Sequence, residues 1–138
     1  MPPKVWNNAW PDLNAPHGGP GAAGLPVVGF PATSVLSMWV AWKQLEPTEG
    51  AYDLRALYAN LDEAVRRGWR VGIRVLTSRS NEAAPYLAGR GIATKYGGSS
   101  YDPADPRFHA RYLALLDAMA AAGLCHNESV AMMYVAAP

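Results

Sequence analysis

The chain has 138 residues, half of them hydrophobic and 17% charged, with a formal net charge of +1. That length fits one domain with enough apolar material for a core, and the near-neutral charge removes the electrostatic case for nucleic acid or an anionic membrane. No apolar run reaches the length of about 18 residues that a transmembrane helix needs, and the lone Cys125 excludes an internal disulfide.

The chain opens on Met-Pro-Pro-Lys-Val-Trp, which has no apolar signal-peptide core. Either a cytoplasmic protein or a secreted one with its leader removed fits this, so localisation stays open. Residues 1–33 are rich in Pro, Gly, Ala and Asn, and His17-Gly18-Gly19-Pro20-Gly21 does not favour regular structure. This segment reads as an N-terminal arm. Packing of Trp6 and Trp10 onto the body and a disordered leader are the alternatives.

Residues 34–138 read as the folded domain. Ser34 to Trp42 carries Val35, Leu36, Met38, Trp39 and Val40, a nearly continuous apolar run suited to a strand buried on both faces. Pro47 and Gly50 then impose a turn. Asp53 is placed as the N-cap of a helix. Leu54, Leu57, Tyr58, Leu61, Ala64 and Val65 form its apolar stripe, with Asn60 and the charged residues on the other face. Arg66 and Arg67 fall in the last turn, where cations complement the helix dipole, and Gly68 fits the left-handed position that ends it.

Trp69 to Leu76 is the second strand, with Trp69, Val71, Ile73 and Val75 on one face and Arg70, Gly72, Arg74 and Leu76 on the other. Asn81 to Leu87 is expected as a short helix broken near Pro85. Gly89, Gly91, Gly97, Gly98, Ser99 and Ser100 mark a long loop. Asp105-Pro106 starts a helix, Asp as N-cap and Pro at the first helical position, with Phe108, Tyr112, Leu115, Leu116 and Met119 inward and Gly123 at its end. Val130 to Ala136 is the third strand. Strands alternating with helices imply an α/β fold with a parallel sheet and right-handed crossovers.

Four stretches in order carry a resemblance: Trp42-Lys43-Gln44-Leu45-Glu46-Pro47-Thr48-Glu49-Gly50-Ala51-Tyr52-Asp53, Arg66 to Val75, Ala84-Pro85-Tyr86-Leu87, and Asp102 to Phe108. Together they resemble the N-terminal part of the (β/α)-barrel glycoside hydrolases of the retaining clan, either the beta-galactosidase-like members or uncharacterised relatives of that barrel. The likeness runs from about Ser34 to Ala136, roughly three quarters of the chain. It implies a partial TIM-barrel-like fold of about three parallel strands, because eight strands need roughly 250 residues. It also implies a hydrolase with a carbohydrate ligand at the C-terminal ends of the strands. Retaining chemistry needs two carboxyl groups about 5 to 5.5 Å apart. In the family both follow later strands, and neither is identifiable here. Ala136-Ala137-Pro138 stands where relatives carry Gly, Trp and Glu. The alternative is a non-catalytic barrel fragment acting as an oligomerising or ligand-binding module. An incomplete barrel leaves raw sheet edges and an apolar face, which favour a homo-oligomer.

The candidate substrate-binding residues are Arg74, Trp39, Trp42, Thr77 and Asn81. An arginine near the C-terminal end of a barrel strand can hold a substrate hydroxyl or orient a carboxylate; the competing role is a salt bridge to a neighbouring strand. Trp39 and Trp42 offer faces for sugar C–H surfaces, against core packing. Trp39 and Arg74 fall at comparable heights on neighbouring strands. Thr77, Ser78, Ser80 and Asn81 follow the second strand and can meet sugar hydroxyls, though ordinary loop polarity explains them as well. Glu46 and Glu49 read as turn carboxylates that cap backbone or pair with arginine. No spacing among His17, His109, His126 and Cys125 matches a metal site, and no phosphate-binding glycine motif is present, so neither cofactor nor metal is expected.

Overall fold

A computed structural model describes residues 5–8, 33–66, 68–77 and 79–134. The expectations for Trp10, His17, Arg67, Ser78 and Ala136 lie outside these residues. The elements run β1 (Val5–Asn8), β2 (Thr33–Ala41), α1 (Trp42–Leu45), α2 (Arg55–Arg66), β3 (Arg70–Leu76), a 3₁₀ turn (Pro85–Leu87), β4 (Thr94–Lys95), β5 (Ser100–Tyr101), α3 (Pro106–Ala121) and β6 (Val130–Tyr134). The fold is mixed α/β. One sheet has the order β1-β2-β3-β6. β1 runs parallel to β2, and β3 runs parallel to β6. Among the described residues the sheet is open, with β1 and β6 at its edges.

The chain forms two compact units. The first holds the described residues of Met1–Val40, Leu54–Arg74 and His126–Tyr134. Its sheet buries one face through alternation. Met38, Val40, Val71 and Ile73 are all fully buried, while Trp39 is half-buried and Arg74 exposed. Each such burial contributes about 1.5–3 kcal/mol. Arg70 ties the start of β3 to β6, its guanidinium donating to the carbonyls of Glu128 (3.1 Å) and Val130 (3.2 Å). The register places Gly72 beside Met132 and Arg74 beside Tyr134.

Helix α2 begins one residue later than expected, with the Leu54 carbonyl accepting from the Tyr58 amide at 2.9 Å. Its buried face is Leu57, Asn60, Leu61 and Ala64. Two residues exchange the sides expected of them. Val65 is 50% exposed and Asn60 only 8%, because positions three, four and seven residues after Leu57 share one face and position eight turns off it. The Asn60 amide is satisfied locally, donating to the Ala56 carbonyl at 3.0 Å. Gly68 has φ +74 after the last turn, a conformation that costs a side-chain-bearing residue energy and glycine none.

The second unit holds Ala41–Asp53 and Val75–Cys125 among its described residues. Here α3 packs Phe108 and Tyr112 against Trp42, at ring-centroid separations of 5.6 and 6.0 Å. Asp105 caps α3 as expected, accepting from the Arg107 amide at 2.9 Å, and also accepts from the Ala93 amide at 2.8 Å. Its contacts with Arg107, first among them the side-chain hydrogen bond, hold its carboxyl well below the usual range.

Within the arm, Val5–Asn8 pairs with β2. Other local expectations are corrected. Trp42 does not extend the first strand. The Gln44 side chain accepts from the Ala41 amide at 3.1 Å, which ends β2 and starts α1 at Trp42. The stretch Asn81–Leu87 forms turns and a short 3₁₀ segment rather than a helix. The glycine-rich loop after it contains a hairpin, with Thr94 beside Tyr101 and Lys95 beside Ser100.

Candidate functional site

Two of the five sequence-predicted residues meet directly. The Arg74 guanidinium carbon lies 4.9 Å from the Trp39 ring centroid. Each residue precedes the C-terminal end of its strand by two positions, Trp39 in β2 and Arg74 in β3, and these strands are sheet neighbours. The pair is a cation–π contact, worth about 0.5–1 kcal/mol at an exposed position. Its geometry leaves a planar set of N–H donors at the surface beside a half-buried indole. Met132, 38% exposed, lies in register with Gly72, two residues before Arg74. The face therefore combines donors with apolar surface. That combination suits a ligand carrying both hydroxyls and C–H faces.

The other three candidates belong to the second unit. Thr77 is 4% exposed. Asn81 is exposed in a turn after β3. Trp42 is fully buried, with its ring against Phe108 and Tyr112 and its indole N–H donating to Glu46 Oε2 at 2.7 Å. Trp42 is thus a core residue with no exposed surface and its donor already used, and the reading of it as a ligand-stacking residue is corrected.

Glu46 anchors a cluster that the sequence indicates only in part. It is fully buried. Its Oε1 accepts from the Gly50 amide at 2.8 Å and from Arg111 Nη2 at 2.6 Å. Arg111 Nε donates to the Tyr86 hydroxyl at 3.2 Å, and the Arg111 guanidinium carbon sits 5.5 Å from the Tyr86 ring centroid. Glu49 pairs with Arg90 and lies 3.6 Å from Arg111 Nε. Burial pushes the Glu46 carboxyl up, but hydrogen bonds from Gly50, Trp42, Tyr86 and Arg111 outweigh it and hold it below its ordinary value. Burial raises the Tyr86 phenol. Arg111 is held charged first by its bond to Tyr86.

A buried carboxylate that already accepts from Trp42, Gly50 and Arg111 and is held below its ordinary value favours the ionised, structural role over proton transfer. The cluster fastens the Glu-Pro-Thr-Glu-Gly turn to α3, in keeping with the expectation that these carboxylates cap backbone and pair with arginine. Arg111 and Tyr86 escape sequence reasoning because their partner lies far along the chain. For Arg111 the separation from Glu46 is 65 residues. The only available signal was the turn glutamate, which demanded an arginine without naming it.

Among the described residues no group of three or more His, Cys, Asp and Glu side chains is placed to hold a metal ion. Among the same residues no helix is long and apolar enough to cross a membrane. No protein-family model matches the chain, and no curated protein matches it.

Proposed function

We propose that this chain is a glycoside-hydrolase-like protein that binds a carbohydrate at the C-terminal ends of β2 and β3, and that its sheet is part of a (β/α)-barrel-like arrangement. The observation that supports this reading best is the exposed Arg74 guanidinium set over Trp39. Arginine donors select hydroxyl oxygens, and the exposed part of the indole offers apolar surface beside them. The four ordered sequence stretches supply the enzyme class, and the parallel pairings of β1 with β2 and of β3 with β6 agree with it. Arg74 and Trp39 act as substrate-binding residues. The catalytic carboxylates are not assigned.

The test is intrinsic tryptophan fluorescence and calorimetry on a panel of mono- and oligosaccharides, with wild type, Arg74→Met and Trp39→Ala. The expected result is saturable binding by wild type that weakens about tenfold in Arg74→Met while the thermal melt is kept. Binding unchanged in both variants removes the pair from the site.

A second reading, a non-catalytic module that associates with its own copies, is favoured by the open edges at β1 and β6 together with the exposed Met132. Light scattering decides it. A defined oligomer that dissociates in Met132→Lys supports this reading, and a monomer at every concentration excludes it.

A further inference from the structure

The hairpin that the sequence did not predict carries a residue the fold does not need. Tyr96 sits between β4 and β5 with its surface 83% exposed, so its ring contributes almost no burial. Its φ is +53, the only positive φ at a non-glycine among the described residues. Gly97 at φ +67 and Gly98 at φ +88 continue the left-handed path. Glycine takes such angles freely, whereas a residue with a bulky side chain is strained there. Asparagine or glycine would serve this turn at lower cost. Folding therefore gains nothing from an aromatic at position 96 and loses something by it.

The tip is also firmly held. Ser99 Oγ donates to the Tyr96 carbonyl at 2.9 Å. Lys95 Nζ pairs with Asp102 Oδ1 at 3.0 Å. Tyr101, at the base of the hairpin, is buried and stacks on Phe108 at a centroid separation of 5.9 Å. The Ser80 amide donates to the Ser99 carbonyl at 3.0 Å, and Arg79 bridges to Ser100. The turn that carries the exposed Asn81 is thereby fixed to the hairpin. Strained backbone persists where surrounding structure enforces it, and it gathers at ligand-binding positions.

We propose that Tyr96 is a stacking platform for a sugar ring, a carbohydrate contact supplied by the second unit in its own right. The proposal rests on the carbohydrate reading given above. An exposed aromatic ring carried on a held backbone is a surface on which the apolar face of a pyranose can settle. Lys95, half-exposed beside it, and Asn81 on the docked turn supply hydroxyl partners.

The experiment is calorimetric titration of the full chain with cello-, xylo-, manno- and galacto-oligosaccharides, using wild type, Tyr96→Ala, Tyr96→Phe and Arg74→Met. The expected result is an affinity about tenfold weaker in Tyr96→Ala, with Tyr96→Phe close to wild type because the face rather than the hydroxyl makes the contact. Equal affinities in Tyr96→Ala and wild type, with loss in Arg74→Met, overturn this proposal and leave the carbohydrate reading standing. Equal losses in Tyr96→Phe and Tyr96→Ala overturn the stacking role. No saccharide bound by wild type overturns the carbohydrate reading and this proposal with it. All three variants are at exposed positions, and a thermal melt identical to within a few degrees certifies that each loss is local.

Discussion

Arg111 and Arg74 are both arginines laid against an aromatic ring, at 5.5 Å from Tyr86 and 4.9 Å from Trp39. Their surroundings separate them. The Arg111 side chain is 24% exposed and reaches a fully buried glutamate, a tyrosine hydroxyl and a second glutamate. Arg74 is exposed, and its contact among the described residues is a ring rather than a carboxylate. The first arrangement uses up its hydrogen-bonding capacity inside the protein. The second leaves its guanidinium at an exposed position. An arginine whose capacity is spent holds structure together, and one whose capacity is held in reserve is available to a ligand.

The sharpest way to break this contrast is Arg111→Met. Removing the cation leaves the Glu46 carboxylate buried without a countercharge, and a broken buried pair costs about 3 kcal/mol or more. A large drop in the urea midpoint with an unchanged slope is expected. A change below about 1 kcal/mol would mean that water or another donor rescues Glu46, and the cluster would lose its structural role. The same cluster predicts an acid limb. Folding lowers the Glu46 carboxyl below its ordinary value of 4.5, so its stabilisation is complete above that pH and is lost as pH falls through the folded value. Asp105, also held low by Arg107, adds to the same limb. Melting temperature followed from pH 7 downward should hold to about pH 4.5 and then fall. Glu46→Gln should start lower and fall less steeply. A wild-type curve flat to pH 3 would contradict the assignment.

The elements that were legible in the sequence are the ones whose periodicity is long enough to read. β3 alternates over seven residues, and α3 repeats its apolar positions over sixteen. The Asp105-Pro106 cap is a local signal and holds as read. Shorter or non-local features were not legible. β1 has four residues inside a segment whose composition argues against strands, and its pairing with β2 crosses a long stretch of chain. The apolar run of β2 continues through Trp42, so its pattern cannot mark where the Gln44 cap turns the chain. β4 and β5 have two residues each, too few for alternation, although Gly97-Gly98 between Lys95 and Ser100 was a usable hairpin signal. At the candidate site, the meeting of Trp39 with Arg74 agrees with their comparable heights on neighbouring strands, which the sequence allowed to be read. For Trp42 core packing was one of the two roles open in the sequence, and the helix start that puts it in the second unit was not legible.

Arg74→Met tests the exposed arm of the comparison. The contact with Trp39 is worth at most about 1 kcal/mol, so folding stability should change by less than that. Saccharide binding should fall much further. A stability loss of about 3 kcal/mol would put Arg74 in the same class as Arg111 and withdraw it from the ligand face.

The smallest effect expected is also the most diagnostic of the second aromatic surface. Tyr96→Gly removes a left-handed side-chain-bearing residue that costs about 1–2 kcal/mol relative to glycine. It adds back about 0.5–1 kcal/mol of unfolded-chain freedom. The difference is a net stabilisation of up to about 1.5 kcal/mol, read as a raised urea midpoint. The loss of ring burial subtracts little, because the residue is 83% exposed. If Tyr96 were merely a turn residue, the gain in stability would come with no loss elsewhere. If it is a platform for a sugar ring, the same substitution makes the protein more stable and a poorer binder. That opposition of sign separates strain retained for a ligand from strain without use. A destabilised Tyr96→Gly variant would show that the ring supports the hairpin, and the argument from strain would fail.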